Sequence, residues 1–347
     1  MSSRTIFTRR DIALLGANLG VASFATMALG WPHRAYAQKA KAMLGHFPSA
    51  NQQNFSKATG SMQKALGDST SIEFISVSAG PQVLTAMAAD SMDLCNIGSS
   101  AMIVGFAQGL PVSMVFMHKV VKDSECLVVR NDAGIKDLKD LKGKKIGCPF
   151  NTSVHFALLA SMKSVGLTAA DVTLVNLRPD AILAAWQRKD IDGAYIWYPV
   201  LGNLQSDGGT IIFQSGDLIA KGSLVFDGIV CRDAFKKQNP DLLLAFLKEL
   251  DRINTIYKTK PEEVVAVMAP FLQIPPEMVM TIAKTTHTIT PKEMLTDAWM
   301  GPPGANDSGI LKAIRDQADF LKSTDQLKAL PADFSKFVDS SFVAKMV

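Results

Sequence analysis

Two hydroxyl-rich segments that follow apolar stretches have the composition of an anion-binding site. Gly98, Ser99 and Ser100 come directly after one such stretch, and Thr152 and Ser153 follow another. Ser and Thr are favoured at the start of a helix, whose first turn presents unpaired N–H donors and the positive end of the helix dipole. We predict that both segments face one anion, although each alone would also be explained as a helix cap.

Two carboxylates in apolar surroundings are candidates for the opposite charge. Asp227 lies inside the apolar stretch 225–232, and Glu125 begins another. A buried carboxylate needs a partner, so each is interpreted either as a counter-charge for a cationic ligand group or as half of a structural ion pair. Trp197 and Tyr198 end a predicted strand, where they would contact an alkyl or ammonium group or pack in the core.

Little in the sequence points to catalysis or metal binding. His155 lies one turn into the helix expected after Ser153, and is either a packed or exposed residue or a polar contact for a ligand. No second His, Asp or Glu stands at ligand spacing from it, and there is no Gly-x-Ser-x-Gly, phosphate-loop or dinucleotide-binding motif. We therefore predict no catalytic residue, no metal and no cofactor, and a binding protein rather than an enzyme.

The cysteines are widely spaced and lie in or beside apolar stretches, which makes a zinc site improbable. Burial as free thiols is the favoured interpretation, although disulfides are compatible with an exported protein. The four are Cys95, Cys126, Cys148 and Cys231.

The N-terminus has the features of an export signal. Arg9 and Arg10 precede an uncharged run over 12–30, and the small residues Ala35 and Ala37 allow a signal peptidase to cut after Ala37. The run is long enough for a membrane anchor, but the cleavage motif after it favours a cleaved signal. The paired arginines resemble a twin-arginine signal, with an ordinary secretory signal as the alternative. No Cys lies near the cut, which excludes lipid attachment there.

The composition is that of a globular protein without an electrostatic preference for polyanions. Of 347 residues, 48% are apolar and 20% charged, which excludes disordered chains, disulfide miniproteins and polytopic membrane proteins. The net charge is +4, but four basic residues and one acidic residue fall within 1–37, so the remainder is almost neutral. Because no Lys/Arg block is present, nucleic-acid binding is not expected.

The elements that must position these residues form two similar α/β units. Residues 83–93 resemble 182–192, since both have an Ala-rich helix, a polar turn and an aliphatic-Asp pair before a strand. The alternation of strands and helices predicts largely parallel sheets with helices on their faces. Ligands of such sheets bind beyond the carboxyl ends of the strands. The predicted lobes are 38–124 with 226–347, and 125–225.

The hydrophobic periodicity also predicts the individual elements. Gly80 and Pro81 are expected to shape a loop that faces the cleft, and the helices after residue 239 are expected to pack on the first lobe. The predicted strands cover 42–47, 71–77, 92–97, 144–148, 172–177, 193–197 and 225–232. The predicted helices cover 54–66, 82–89, 136–142, 154–165, 240–258, 260–271, 275–285 and 306–322.

Three stretches carry a resemblance to a known family. Residues 95–100, 149–159 and 175–197 resemble the taurine, alkanesulfonate and nitrate solute-binding family of bacterial ABC importers, and the last stretch does so most specifically. The resemblance implies a type II periplasmic-binding-protein fold, in which two α/β lobes are joined by two strand crossings with a cleft between them. The crossings would lie at 124–126 and 224–227.

The resemblance also implies a function in uptake. In this family a sulfonate is held between the lobes by hydroxyls and backbone amides, and a membrane permease receives it from a monomeric periplasmic protein. Taurine is the first ligand to expect, since Asp227 aligns with the acid that meets its ammonium and Glu125 belongs to a shared Ser-Glu pair. The candidate ligand-binding residues are Ser49, Asn51, Gly80, Gly98, Ser99, Ser100, Glu125, Thr152, Ser153, His155, Trp197, Tyr198 and Asp227.

Several positions depart from the taurine pattern. Asn51 stands where an acidic residue is expected, Ala101 replaces a proline, and Val154 replaces a hydroxyl residue. These changes leave another small anion as the alternative ligand, such as an alkanesulfonate, nitrate or an aromatic acid. An enzyme on the same fold is a further alternative, but the Cys-rich iron-binding run of the related thiamine-pyrimidine synthases is missing from this sequence.

We expect exported protein to begin at Gln38, because the small residues before it suit signal peptidase. Replacing Arg9 and Arg10 together by Lys should stop export by the twin-arginine route and leave an ordinary secretory route working. N-terminal sequencing of the exported fraction measures both. A chain that retains Met1 in the membrane fraction would contradict the cleavage.

Overall fold

The computed structural model describes residues 40–347. The predicted export signal, its cleavage after Ala37 and the start of the first lobe at residue 38 lie outside the described residues. Within 40–347, no helix combines the length and the hydropathy needed to cross a bilayer. All four cysteines are buried free thiols, as the favoured interpretation of the sequence had it.

Residues 40–347 contain ten strands in two five-stranded sheets. The strands are β1 (Ala40–His46), β2 (Thr70–Ser76), β3 (Leu94–Gly98), β4 (Val112–Val120), β5 (Glu125–Arg130), β6 (Lys145–Cys148), β7 (Thr173–Asn176), β8 (Gly193–Trp197), β9 (Gly209–Gln214) and β10 (Phe226–Arg232). The order is β2-β1-β3-β10-β4 in the first sheet and β7-β6-β8-β5-β9 in the second. We call the parts built on these sheets the first and second lobes.

Both sheets are mixed, but in each of them four strands run in one direction, so the prediction of largely parallel sheets is confirmed except for one opposing strand. In the first, β1 runs parallel to β2 and β3, whereas β10 lies antiparallel between β3 and β4. In the second, β6 runs parallel to β7 and β8, whereas β5 lies antiparallel between β8 and β9. The reason is that β5 and β10 each enter their sheet from the other lobe, at the edge where the parallel strands end.

The chain passes between the sheets twice, and the two crossings run side by side. The first lies between Val120, where β4 ends, and Glu125, where β5 begins. The second leads into β10, and the Val121 amide of the first crossing donates to the Val225 carbonyl of the second at 3.0 Å. This pairing brings Glu125 and Asp227 to the mouth of the space between the sheets. The residue boundaries at which the lobes would move as separate bodies stay a prediction.

Helices cover the sheets and form most of the chain after β10. Gly60, at φ 68°, divides the predicted helix 54–66 in two, because a left-handed residue ends a helix. The predicted helix 136–142 is only a 3₁₀ turn, Leu138–Leu141. The α-helices are α1 (Gln52–Thr59), α2 (Ser61–Leu66), α3 (Gly80–Ala88), α4 (Ser99–Ala107), α5 (Ser153–Lys163), α6 (Pro179–Gln187), α7 (Val200–Ser206), α8 (Asp233–Gln238), α9 (Pro240–Thr259), α10 (Pro261–Leu272), α11 (Pro276–Lys284), α12 (Pro291–Met294), α13 (Gly309–Ser323) and α14 (Ser341–Ala344).

The C-terminal helices hold the elements that border the cleft. Tyr257 of α9 packs edge-on against Phe55 of α1, with ring centroids 6.1 Å apart, and its hydroxyl donates to the Ala50 carbonyl at 3.0 Å. On another side, Phe156 of α5 packs edge-on against Phe320 of α13 at 5.1 Å. The loop after β1 and the start of α5 are therefore both anchored by aromatic packing, which burial makes favourable.

Candidate functional site

A cavity of about 90 Å³ lies between the lobes, beyond the carboxyl ends of β1, β3 and β8. Its size suits a small solute, because pockets for drug-sized ligands have volumes of roughly 300–1,000 Å³. The predicted site residues that line it are Ser49, Asn51, Gly80, Gly98, Glu125, Thr152, Ser153, Trp197, Tyr198 and Asp227. Lining residues that the sequence did not single out include Phe47, Gln52, Asn96, His118, Lys119, Ser124, Thr285 and Thr286.

Four helices begin at this cavity. The residues that line it include Asn51 and Gln52 at the start of α1, Gly80 at the start of α3, and Gly98 just before α4. Ser153, the first residue of α5, lines it from the second lobe. The first turn of a helix carries N–H groups without intrahelical partners and a partial positive charge. These groups make the cavity favourable for an anion without requiring a cationic side chain.

The hydroxyls of Ser99 and Ser100 do not line this cavity, so the prediction that they face the anion is wrong for their side chains. Gly98 is the N-cap of α4, which puts both serines in the first helical turn and directs them into the packing below. Ser100 Oγ donates to Gln317 Oε1 of α13 at 3.3 Å. Ser99 is fully buried. The wall predicted there consists of backbone at Gly98, with the start of α4 behind it.

The hydroxyls at the start of α5 face the cavity but are already hydrogen-bonded. Thr152 is the N-cap, and its Oγ1 donates to the Pro149 carbonyl at 2.6 Å. Ser153 Oγ donates to Glu125 Oε1 at 2.8 Å. In this arrangement the backbone N–H groups of the first turn, rather than the two hydroxyls, are the donors left for an anion.

His155 also lies away from the cavity, which corrects its assignment as a candidate ligand contact. Its ring stacks on Phe150, with centroids 4.3 Å apart and an angle of 10° between the planes. Its Nδ1 accepts a hydrogen bond from the Asn151 amide at 3.4 Å. Burial lowers the pKa of His155 to about 4, so the ring is neutral and part of the packing. In the described part of the chain, no three His, Cys, Asp or Glu side chains cluster as metal ligands.

Two buried carboxylates and one ammonium also line the cavity, and the carboxylates lie beside the starts of α4 and α5. Glu125 and Asp227 are 4% and 7% exposed. Lys119 Nζ lies 3.5 Å from Asp227 Oδ2, so the structural ion pair that the sequence left open for Asp227 is present. Glu125 Oε2 is buried and has no hydrogen-bond partner among the described residues. The carboxyl pair therefore carries more potential negative charge than Lys119 can neutralise.

Burial determines the titration of this pair. It raises the pKa of Glu125 to about 8, and the nearby charge of Asp227 acts in the same direction. Burial also raises the pKa of Asp227, while Lys119 opposes that change. His118, beside Lys119 on β4, has its pKa lowered to about 3 by burial and by the lysine charge. The histidine is thus a neutral hydrogen-bonding group at neutral pH.

Further polar atoms near the carboxylates lack protein partners. Asn96 Oδ1, Ser124 Oγ and His118 Nδ1 are buried, belong to lining residues, and make no hydrogen bond to any described residue. Buried polar groups normally have partners. An amide oxygen and a carboxylate oxygen only accept hydrogen bonds, so these atoms require hydrogen-bond donors from the molecule that occupies the cavity.

Aromatic side chains also line the cavity. Trp197 at the end of β8 and Phe47 after β1 meet edge to face across the cleft, with centroids 6.5 Å apart. Tyr198 lines the cavity, and its hydroxyl donates to Gln205 Oε1 at 3.1 Å. Burial raises the pKa of Tyr198 to about 12, so it remains neutral. These rings can contact an alkyl chain or an ammonium group.

Glycine is required where the two lobes approach most closely. A Cβ on Gly98 would lie 2.8 Å from Ser153 Oγ and 3.0 Å from Ser153 Cβ. Ser153 begins α5 in the second lobe, whereas Gly98 ends β3 in the first. Any side chain at residue 98 would therefore push the end of β3 and the start of α5 apart.

Two α/β lobes joined by two strand crossings around such a cleft define the type II periplasmic-binding-protein fold. The chain belongs to the NMT1/THI5-like family, whose model matches residues 71–264. It is 30% identical over 313 residues to the taurine-binding periplasmic protein of Escherichia coli (strain K12), covering 88% of this chain and 94% of that protein.

Solved structures share the fold at lower identity. The alkanesulfonate-binding protein SsuA from Xanthomonas axonopodis pv. citri bound to MOPS superposes with a TM-score of 0.73 at 20% identity, covering 84% of this chain and 96% of that one. The desulfurization enzyme DSZB has a TM-score of 0.61 at 15% identity, covering 88% and 98%. The fold thus occurs in binding proteins and in an enzyme, and the function must be argued from the cleft.

Replacing Gly98 by Ala should keep the lobes apart, because the added methyl meets Ser153. Overpacking of this kind costs about 1–3 kcal/mol, and small-angle X-ray scattering should give a larger radius of gyration than for the unchanged protein. Adding Ser153→Gly in the same chain removes the clashing atoms and should restore the compact form. An unchanged radius for Gly98→Ala alone would contradict the close approach.

The ligand-free protein should be most stable near pH 6.5. Burial lowers the pKa of three histidines, to about 4 for His46 and His155 and about 3 for His118, so the unfolded chain binds more protons below pH 6.5 and stability falls with acid. The raised pKa of Glu125 makes the native state bind an extra proton between about pH 4.5 and pH 8. Above pH 6.5, where the histidines of the unfolded chain lose their protons, this carboxyl dominates, and stability falls towards pH 8 by up to about 1.4 kcal/mol per pH unit.

Urea unfolding at pH 6.5 and pH 8 measures this alkaline slope. Glu125→Gln should flatten it, whereas Glu73→Gln, in an exposed ion pair with Lys41, should leave it unchanged. Equal slopes for both variants would show that Glu125 does not carry the proton.

Proposed function

We propose that this protein is the exported solute-binding component of an ABC importer, and that it captures taurine or a similar small sulfonate between its lobes. The observation that carries the proposal is a small cavity between the lobes that is lined both by the starts of four helices and by two buried carboxylates. This charge arrangement matches a short zwitterion with an anionic group and an ammonium. The names of the taurine-binding and alkanesulfonate-binding relatives support the same class of ligand.

The anionic end suits a sulfonate. A sulfonate stays ionised at physiological pH and only accepts hydrogen bonds, so neutral N–H donors are sufficient to bind it. Each such bond to a charged acceptor is stronger than a bond between neutral groups. The donors would come from the first turns of α1, α3, α4 and α5, and the closure of the lobes would exclude water and strengthen every contact.

The carboxylate end suits an ammonium. Glu125 Oε2 and Asn96 Oδ1 are acceptors without partners among the described residues, and Asp227 has Lys119 at 3.5 Å as a partial counter-ion. With both carboxylates ionised, Glu125, Asp227 and Lys119 together have a net charge of −1, which one ligand ammonium would balance. Trp197 or Tyr198 would add a cation–π contact of about 0.5–2 kcal/mol.

Delivery would depend on closure of the lobes. We assign the moving bodies to 38–124 with 226–347 and to 125–225, which rotate about the paired crossings. The closed form, in which Gly98 approaches Ser153, would be the one that the permease recognises in the periplasm. The protein would act as a monomer after removal of the signal at Ala37, because one chain supplies every residue of the cleft described above.

An enzyme on this fold is the second candidate. It is favoured by the hydrogen bond between Ser153 and Glu125, which resembles a hydroxyl beside a base. We propose binding without chemistry, because that hydroxyl is buried against the Glu125 carboxyl group and no third group within residues 40–347 orients the pair. Prolonged incubation of taurine with the protein, followed by proton NMR, should recover the ligand unchanged. Release of sulfite or sulfate would establish the enzyme.

Wild-type protein should bind taurine more tightly than ethanesulfonate in calorimetry in phosphate buffer. Asp227→Asn should weaken the binding of taurine by about 2 kcal/mol, or roughly 30-fold, because the ammonium loses a charged partner. The binding of ethanesulfonate should be weakened less. Asp180→Asn, a change of the same type at an exposed residue, should alter neither affinity. Equal binding of both ligands by the wild type would instead make Asp227 a structural partner of Lys119.

A further inference from the structure

Glu125 is the least satisfied of the charged groups in the cleft. Its Oε1 accepts from Ser153 at 2.8 Å, whereas its Oε2 is buried without a partner in residues 40–347. No ammonium or guanidinium of the described residues lies within 4 Å of its carboxyl group, since Lys119 pairs with Asp227. An ionised, buried carboxylate with one free oxygen is costly, and a proton on that oxygen removes the cost.

The groups around Glu125 leave this charge uncompensated. Lys119 from β4 is the cation that faces the carboxyl pair, and Asp227 from β10 adds a second negative charge. The other titratable neighbours are neutral: burial lowers the pKa of His118 from β4 and raises the pKa of Cys126 and Tyr195, on β5 and β8. The net charge of the subsite therefore depends on whether Glu125 holds a proton.

We propose that Glu125 is the specificity-determining residue of this cleft, holding a proton when the cleft is empty or contains a plain sulfonate and releasing it when the ligand presents an ammonium. The proposal rests on the proposed function, because it assumes a sulfonate ligand. The O–H bond of the Glu125 carboxyl breaks, its proton passes to the solvent, and a ligand N–H donates to the freed Oε2. One positive charge leaves the subsite as another enters it.

The exchange makes selectivity depend on pH. Burial and Asp227 raise the pKa of Glu125 to about 8, so the carboxyl is mostly protonated at pH 7. Binding that releases one proton strengthens about tenfold per pH unit below that value. Taurine should therefore bind about tenfold more tightly at pH 7 than at pH 6. Ethanesulfonate has no group to replace the proton, so its affinity should not increase between pH 6 and pH 7.

A pH-stat titration of wild-type protein at pH 7 counts the protons directly. Taurine at the same pH should release close to one proton per bound molecule, and ethanesulfonate close to none. Affinities of both ligands at pH 6 and pH 7, measured in phosphate, supply the second readout. These measurements use the unchanged protein, so they do not depend on whether a variant folds.

Glu125→Gln identifies the source of the proton. The amide keeps the size of the side chain and cannot ionise, so taurine binding should become weak, proton release should vanish and the dependence on pH should be lost. Ethanesulfonate binding should be kept within about threefold, a change smaller than one hydrogen bond would cause. Glu73→Gln is the matched control and should release protons as the wild type does.

The outcomes separate the two proposals. Taurine binding without proton release, and equally strong at pH 6 and pH 7, would overturn the exchange at Glu125 while leaving the sulfonate-binding function intact. Release of a proton that persists in Glu125→Gln would also overturn it, since another group would be the donor. Failure of both sulfonates to bind the wild type would overturn the proposed function and this inference together.

Discussion

The surplus of buried negative charge at the two crossings is the constraint on which the cleft depends. Glu125 and Asp227 lie where β5 and β10 enter their sheets, and Lys119 supplies one ammonium for two carboxyl groups. Two buried carboxylates with one ammonium leave a negative charge without a partner among the described residues, which is costly. Under the proposal for Glu125, a proton or a ligand cation would supply the missing charge, and this exchange would give the cleft its selectivity.

The starts of four helices give the cavity positive potential without a formal charge. The N-termini of α1, α3, α4 and α5 do so through backbone dipoles rather than through lysine or arginine side chains. Under the proposed function, these N-termini would hold the anionic group of the ligand and the carboxylates would hold its ammonium.

Ser153 connects the start of a helix with the carboxylates. It is the first residue of α5, and its hydroxyl donates to Glu125. It is also the side chain that a Cβ at Gly98 would meet at 2.8 Å. A change at Ser153 would therefore affect both the contact with Gly98 and the hydrogen bonding of the Glu125 carboxyl group.

Local sequence patterns were sufficient to predict seven of the ten strands, most helices and several cleft residues. Asp227 was recognisable because a carboxylate in an apolar stretch needs a partner. Gly98 and Thr152 were recognisable because each lies between the end of a strand and the start of a helix. Lys119 and Asn96 were missed, since nothing in the patterns of β4 and β3 distinguishes them from ordinary strand residues. Ser99 and Ser100 have the right residue types, but packing against α13 decided their direction. The mixed sheets, the pairing of Lys119 with Asp227 and the free oxygen of Glu125 arise from contacts between distant segments, so only the tertiary structure decided them.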